Sequence, residues 1–442
     1  MNRKKSNKIA IIGNMNNNGF ALLRHLLDTG KDAYLLLTPV DVKRKSSKHF
    51  LPTEDTWYPD KYLEKIKYIS TPMSLGMILS CKGYIYNFLA FFIYLAKRFG
   101  KNENSYLWLP GCNREKIKSI LSDYSVLICS GEMPAVLNKI NRSCSLYFPY
   151  SIGGEYYKDP EFTKFLNVKN ILTRFITGII QNAQCEGLRK NKLTFINDSH
   201  QTQKSFEVLD INILNTYIPI VYPYENPSHL DYSEPLKDIL KIIKSVKSSH
   251  IKSTIFMSHS RHYWINKGGL DAEEWRSRGS KNNNWIVDAF SRLISENVVY
   301  PLLIFFEYGP DVEETKLYCK QTGIEKYVYW SPLLSRKEIL ILIKEINVGL
   351  GEFYNSDISM GGAQLEFLAM GKPLITGRTS SIVKDADTDG FLFEAESAEE
   401  IYNHMYFLCK NKPRIIQSGM DASQWYKTKV VNGFMSVMSN LE

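Results

Sequence analysis

The 442-residue sequence contains no C-x-x-C pair, no apolar run of twenty residues, no internal repeat and no low-complexity tract. Without a C-x-x-C pair, and with an odd total of seven cysteines (81, 112, 129, 144, 185, 319 and 409), neither a zinc knuckle nor a closed disulfide frame is expected. The thiols read as buried and reduced. The apolar runs fall short of the roughly 20 residues that span a bilayer as a helix. The basic start MNRKKSNK meets only a short apolar stretch at residues 9–12, whereas a secretory leader needs about 7–15 apolar residues. The expected location is therefore the cytoplasm. With 44% apolar and 23% charged residues, a disordered tail, a collagen-like repeat and a stapled miniprotein are all excluded. No zinc-finger, RNA-recognition or homeodomain pattern is present, so no nucleic-acid partner is expected.

What the chain does have is charge, distributed unevenly. Residues 1–222 carry 30 Lys+Arg against 18 Asp+Glu, a balance of +12, while the remainder carries 25 against 28. A basic first half suggests a surface that faces an anionic partner. Residues 83–99 (GYIYNFLAFFIYLAKRF) add an apolar stretch ending in Lys97-Arg98. It reads either as a buried core helix or as an interfacial helix at the inner face of a membrane, which would make the protein peripheral there.

Residues 9–37 follow a strand, loop, helix, glycine and strand pattern, with Leu22, Leu23, Leu26 and Leu27 on one helical face and Gly30 where a C-cap falls. This is a βαβ unit. Proline accumulates at 219, 223, 227 and 235, which marks an interdomain linker. Beyond it, apolar strands and helical patterns alternate regularly from residue 253 to 408, as in a parallel sheet covered on both faces. The expected organisation is α/β with two Rossmann-like doubly wound domains, 1–220 and 221–412, facing across a cleft. A helical segment, 413–442, is expected to pack back toward the first domain. Ligands of such sheets lie at the carboxyl ends of the strands.

The most informative stretch is residues 361–375, GGAQLEFLAMGKPLI. Glycines where a loop enters a helix let backbone N–H groups approach a phosphate, and the helix end adds positive partial charge. Glu366, one turn inside, is placed to accept hydrogen bonds from sugar hydroxyls; alternatively it is a solvated helix residue after a tight turn. The stretch resembles the donor-site motif of GT-B glycosyltransferases, above all the retaining family-4 group. Upstream, residues 303–310 (LIFFEYGP) are similar to that family's strand and glycine turn, including Gly309. Residues 323–330 (GIEKYVYW) resemble the strand before the nucleobase loop, which would hold Pro332 and Leu333. Lys281 before residues 282–290 resembles the family's K-G-x6-A-F, with Asn282 in place of glycine, and Arg261 in SHSRHYW resembles its arginine after the first strand of the second domain. Gly13, Asn14, Asn18 and Gly19 are similar to the opening glycine loop.

The resemblance implies a nucleotide-diphosphate sugar as donor substrate and a glycan or lipid-linked acceptor, with no cofactor and no metal. Arg261 and Lys281 would neutralise the leaving diphosphate. Gly361, Gly362, Ala363 and Gln364 would cradle sugar and phosphate, and Glu366 would bind the ribose. The sequence also departs from the family. Ile358 stands where a second Glu often precedes Glu366 by eight residues, with Asp357 beside it and Glu352 further back. Residues 148–154 (FPYSIGG) lack the histidine often found there, leaving His200 as a candidate cleft residue. Asp385, Asp387 and Asp389 superficially suggest a cation loop but read as a solvated turn. A nucleotide-sugar 2-epimerase of the same architecture is a competing expectation, since SMGGAQLE resembles its S-G-G-x-Q-E-E loop, although Leu365 breaks the Q-E pair and Phe367 replaces the second Glu. A non-catalytic scaffold is another.

Overall fold

The structure is a computed structural model that describes residues 8–38, 51–69, 114–131, 133–149, 182–195, 210–214, 216–223, 225, 232–249, 253–266, 280–296, 300–353, 361–377 and 388–441. Residues 83–99, His200, Asp357, Ile358, Asp385 and Asp387 lie outside this set, as does most of residues 148–154. The chain forms two units, one of residues 1–220 with 430–442 and the other of residues 221–429.

In the first unit β1 (Ile9–Ile12), β2 (Ala33–Leu37), β3 (Ile66–Tyr68), β4 (Val126–Cys129), β5 (Leu146–Tyr147), β6 (Leu193–Phe195) and β7 (Ile213–Leu214) build one sheet in the order β3-β2-β1-β4-β5-β6-β7. Every pairing is parallel. β1 and β4 are buried throughout, as a parallel sheet covered on both faces requires, which is why they read as unbroken apolar runs. Helix α1 (Asn18–Asp28) buries Phe20, Leu22, Leu23 and Leu26 against one face. Helices α2 (Arg114–Leu121) and α3 (Met133–Lys139) supply Ile117, Leu121, Val136 and Leu137 to the other cluster.

The second unit opens with α4 (Glu234–Ser249), which begins at the last proline of the expected linker. Its strands are β8 (Thr254–Ser258), β9 (Pro301–Phe306), β10 (Val328–Ser331), β11 (Val348–Leu350), β12 (Leu374–Thr376) and β13 (Leu392–Glu394), ordered β10-β9-β8-β11-β12-β13 and again all parallel. Between them run α5 (Asn283–Ser295), α6 (Val312–Gln321), α7 (Arg336–Glu345), α8 (Gly362–Ala369) and α9 (Ala398–Lys410). Ile286, Phe290 and Leu293 of α5 meet Phe256, Leu303, Ile401 and Met405 in one core. Then α10 (Lys412–Trp425) passes through a π-helical stretch, Tyr426–Asn432, into α11 (Gly433–Leu441). Phe434 and Met438 of α11 lie in the first unit's core beside α1.

In each sheet the strand order reverses at the first strand, between β1 and β4 and between β8 and β11. Such switch points open a crevice at the carboxyl ends of the strands, where ligands of these sheets bind. Among the described residues no helix is long and apolar enough to cross a membrane.

Candidate functional site

Ser258 ends β8, and His259, Ser260, Arg261 and His262 follow it in succession. Arg261 is exposed, and its guanidinium lies 5.3 Å from the Tyr263 ring centroid. The backbone around it is tied down: the His262 N–H donates to the Tyr308 carbonyl at 2.7 Å, and the Trp264 and Ile265 amides donate to Asp311 Oδ2 at 2.8 and 2.9 Å. Gly309, at φ 118°, permits that approach. A Cβ there would sit 2.3 Å from the His262 carbonyl oxygen, so Gly309 serves the loop's own backbone.

Lys281 reaches the same end of the sheet. Its amide donates to the Tyr263 carbonyl at 2.6 Å, and its ammonium pairs with Glu352 Oε2 at 2.6 Å, both side chains being largely buried. Asn282 stands in the left-handed region at φ 45°, immediately before α5. Asparagine tolerates this conformation better than most residues, so it can stand where the resembling motif has glycine. Its amide also donates to the Phe353 carbonyl, and its Oδ1 accepts from Ser280 Oγ at 3.1 Å.

On the other side of β11 stands α8. Gly361 is its N-cap, and the Gly361 N–H donates to the Gln364 side chain, whose amide in turn donates to Thr376 Oγ1 at 2.9 Å. The helix can approach this closely because Gly349 carries no side chain: a Cβ there would meet the Phe367 ring at 2.4 Å. Phe367 therefore occupies a packing position against the sheet, where the second Glu of an epimerase loop would be buried.

Glu366 is not the solvated helix residue that one expectation allowed. Its Oε2 lies 2.8 Å from His259 Nε2 and its Oε1 2.8 Å from Arg336 Nε, and its side chain is 9% exposed. Burial alone would raise its carboxyl, but the Arg336 charge and the His259 hydrogen bond hold it below the ordinary carboxylate range. It is thus ionised at neutral pH. Arg336 is the first residue of α7, whose start is fixed by Ser335 and Glu338: the Ser335 amide donates to Glu338 Oε2 at 3.2 Å and the Ser233 amide to Oε1 at 3.0 Å. A cation at a helix N-terminus opposes the helix dipole, and the pairing with Glu366 offsets that cost.

The motifs gave no signal for His259, whose partner lies 107 residues away. Arg336 had one available in principle, its position against the dipole. Four buried polar atoms of the β8 loop, Ser258 Oγ, His259 Nδ1, Ser260 Oγ and His262 Nε2, have no hydrogen-bond partner among the described residues. His262 is enclosed by Phe305 and Trp330, and burial pushes its imidazole down to about 4. Pro332 and exposed Leu333 follow β10.

At the end of β1 the expected loop residues bond one another. Asn14 Nδ2 donates to Asn17 Oδ1 at 2.8 Å, and the Phe20 N–H donates to Asn14 Oδ1 at 2.8 Å. Gly13 adopts φ 103°, Asn18 begins α1, and a Cβ on Gly19 would lie 2.4 Å from the Gly13 carbonyl oxygen. Among the described residues no group of three or more His, Cys, Asp or Glu side chains is arranged to hold a metal ion.

No protein-family model and no curated protein sequence matches the chain. Solved structures do. HepE of Anabaena, crystallised with UDP and glucose, is 12% identical over 98% of both chains, with a TM-score of 0.56. A glycosyltransferase of Rickettsia africae is 13% identical over 98% of this chain and 96% of its own, at 0.55. A variant of S. aureus TarM, crystallised with UDP among other ligands, is 9% identical over 98% and 99%, at 0.54. The fold is GT-B. In GT-B terms, the two units are its two Rossmann-like domains, and the β8 loop, Lys281 and α8 meet at the switch point of the second.

Proposed function

We propose that the chain is a glycosyltransferase that takes a sugar from a nucleoside diphosphate and transfers it, with retention, to a glycan or lipid-linked acceptor of cell-surface polysaccharide. The observation that carries this reading is the convergence at the carboxyl end of one sheet of Arg261, Lys281, the α8 N-terminus and an ionised Glu366. Two cations and a helix N-terminus suit a diphosphate, and a carboxylate suits the ribose diol.

In this reading the bond between the sugar anomeric carbon and the diphosphate oxygen breaks. The electron pair stays on that oxygen, where Arg261 and Lys281 stabilise it. Lys281 then exchanges Glu352 for phosphate. The acceptor hydroxyl adds on the same sugar face and gives its proton to the departing diphosphate. Gly361, Gly362, Ala363 and Gln364 line the donor, with Pro332 and Leu333 beside the base. The basic first domain, through Gly13, Asn14, Asn18, Gly19 and His200, faces the acceptor. Residues 83–99 would rest on the inner face of the cell membrane. The position of Phe367 against Gly349 argues against the 2-epimerase alternative.

A panel of nucleotides and nucleotide sugars tests the reading. A binding ligand raises the unfolding temperature by mass action, and the stabilising sugar nucleotide should release its nucleoside diphosphate when acceptor lipid is added. Stabilisation by none of the panel would overturn the proposal. Interconversion of a nucleotide sugar without acceptor would replace it with the epimerase.

A further inference from the structure

We propose that His259 is a positioning residue for Glu366. It and Arg336 would each occupy one lone pair on a different carboxylate oxygen, leaving one lone pair on each oxygen for the two hydroxyls of a ribose. This inference rests on the nucleoside-diphosphate reading above and adds a residue outside the motifs that suggested it.

The argument begins with Glu366. An ionised carboxylate only accepts hydrogen bonds, at about four lone-pair sites over its two oxygens. Arg336 Nε takes a site on Oε1 and His259 Nε2 takes one on Oε2, each at 2.8 Å. Because Glu366 accepts, Nε2 must carry the hydrogen, which fixes the tautomer of a neutral ring and makes Nδ1 an acceptor. That Nδ1 is buried and has no hydrogen-bond partner among the described residues.

The ring itself is held edge-to-face by Phe367 at 4.9 Å and Phe306 at 6.2 Å. Both donors stand directly beside regular structure, His259 one residue beyond β8 and Arg336 at the start of α7. A salt bridge needed only to join α7 to α8 would be complete with Arg336 alone. Burying a third polar group beside it adds desolvation that an apolar side chain would avoid. The gain is orientation: the carboxylate is held from both oxygens, and its plane cannot turn away from the crevice.

Calorimetric titration of the full-length protein tests this with UDP, ADP, GDP and CDP, each against its 2′,3′-dideoxy counterpart. Wild type should prefer the ribose form of whichever nucleotide binds. His259→Asn, which cannot place an N–H at the Nε2 position, should lose about tenfold in affinity for the ribose form, equivalent to one hydrogen bond. It should bind the dideoxy form unchanged. His259→Gln, whose amide reaches that position, should recover most of the preference. If Glu366→Gln abolishes the preference while a folded His259→Asn retains it, His259 has no positioning role and the ribose contact stands. If wild type shows no preference, or binds none of the four, the underlying reading fails as well. Should His259→Asn not fold, His259→Gln decides: a folded Gln variant without the preference overturns the proposal.

Discussion

The two sheets share one strand order around their first strands, β3-β2-β1-β4 and β10-β9-β8-β11, yet the loops leaving β1 and β8 are filled in opposite ways. After β1, Asn14, Asn17 and the Phe20 amide bond one another, and the buried Arg24 of α1 pairs with Asp55 at 3.0 Å. After β8, four buried polar atoms have no partner among the described residues, and the charged side chains Arg261, Lys281 and Glu366 gather at the edge. A loop whose side chains bond one another is pinned architecturally by its own contacts. A loop that carries buried polar groups without partners among the described residues calls for a water, an ion or a ligand to complete them. The same topology thus carries a mutually bonded loop in one unit and, in the other, the gathered charges of the candidate donor site.

The sharpest way to break this comparison is to remove the cations of the β8 edge. Arg261→Ala and Lys281→Ala should each lower turnover on the order of 10²–10³-fold, the usual cost of losing one preorganised partner of a developing charge. Steady-state kinetics on the donor identified by the thermal panel reads this directly. Near-normal turnover in both would return the β8 loop to the same architectural class as the β1 loop.

Acid stability separates the two units next. His262 titrates near 4 in the fold and near 6.5 when unfolded, so between those values the unfolded chain binds the extra proton. Stability should therefore be complete above about pH 6.5 and fall toward pH 4, by about 3 kcal/mol from this one group. His262→Phe, which keeps the ring between Phe305 and Trp330, should flatten that part of the profile in urea melts followed by tryptophan fluorescence. An unchanged slope would mean that His262 is solvated.

On the first unit, Asn14→Ala should cost about 1–3 kcal/mol of stability by stranding the Phe20 amide and the Asn17 side chain. Affinity for the donor nucleotide should stay the same. A large loss of nucleotide affinity without loss of stability would show that the β1 loop, too, is completed by ligand.

How far these features were legible in the sequence depends on how local their causes are. β1 and β2 form the two ends of the strand, loop, helix, glycine and strand pattern expected over residues 9–37, because a largely buried strand of a parallel sheet is an apolar run in any context. β5 and β7 span two residues each and β3 has only Ile66 buried, so pairing with neighbours rather than composition makes them strands. In α4, Leu236, Ile239 and Ile243 give a helical stripe that the preceding prolines obscured. The glycine and lysine motifs of the site are local and could be read. The holding of Glu366 by His259 and Arg336 joins three segments far apart in the chain, so no spacing rule predicts it.

The smallest expected effect concerns the backbone that the two loops have in common. Asn16 and Asn17 after β1 and Asn282 before α5 all sit at positive φ, 53°, 58° and 45°. At 282 two contributions compete. Glycine would relieve the left-handed conformation, which costs a residue with a Cβ about 1–2 kcal/mol. It would also forfeit the bonds of the Asn282 side chain to the Phe353 carbonyl and Ser280, each worth about 0.5–1.5 kcal/mol. The two nearly cancel, so Asn282→Gly should change stability by less than about 1 kcal/mol. Asn282→Ala loses the bonds and keeps the strain, and it should fall below the glycine variant by about 1 kcal/mol or more. Denaturant melts of the three proteins give the order. Alanine equal to glycine would mean that the side-chain bonds, not the left-handed backbone, select asparagine before α5.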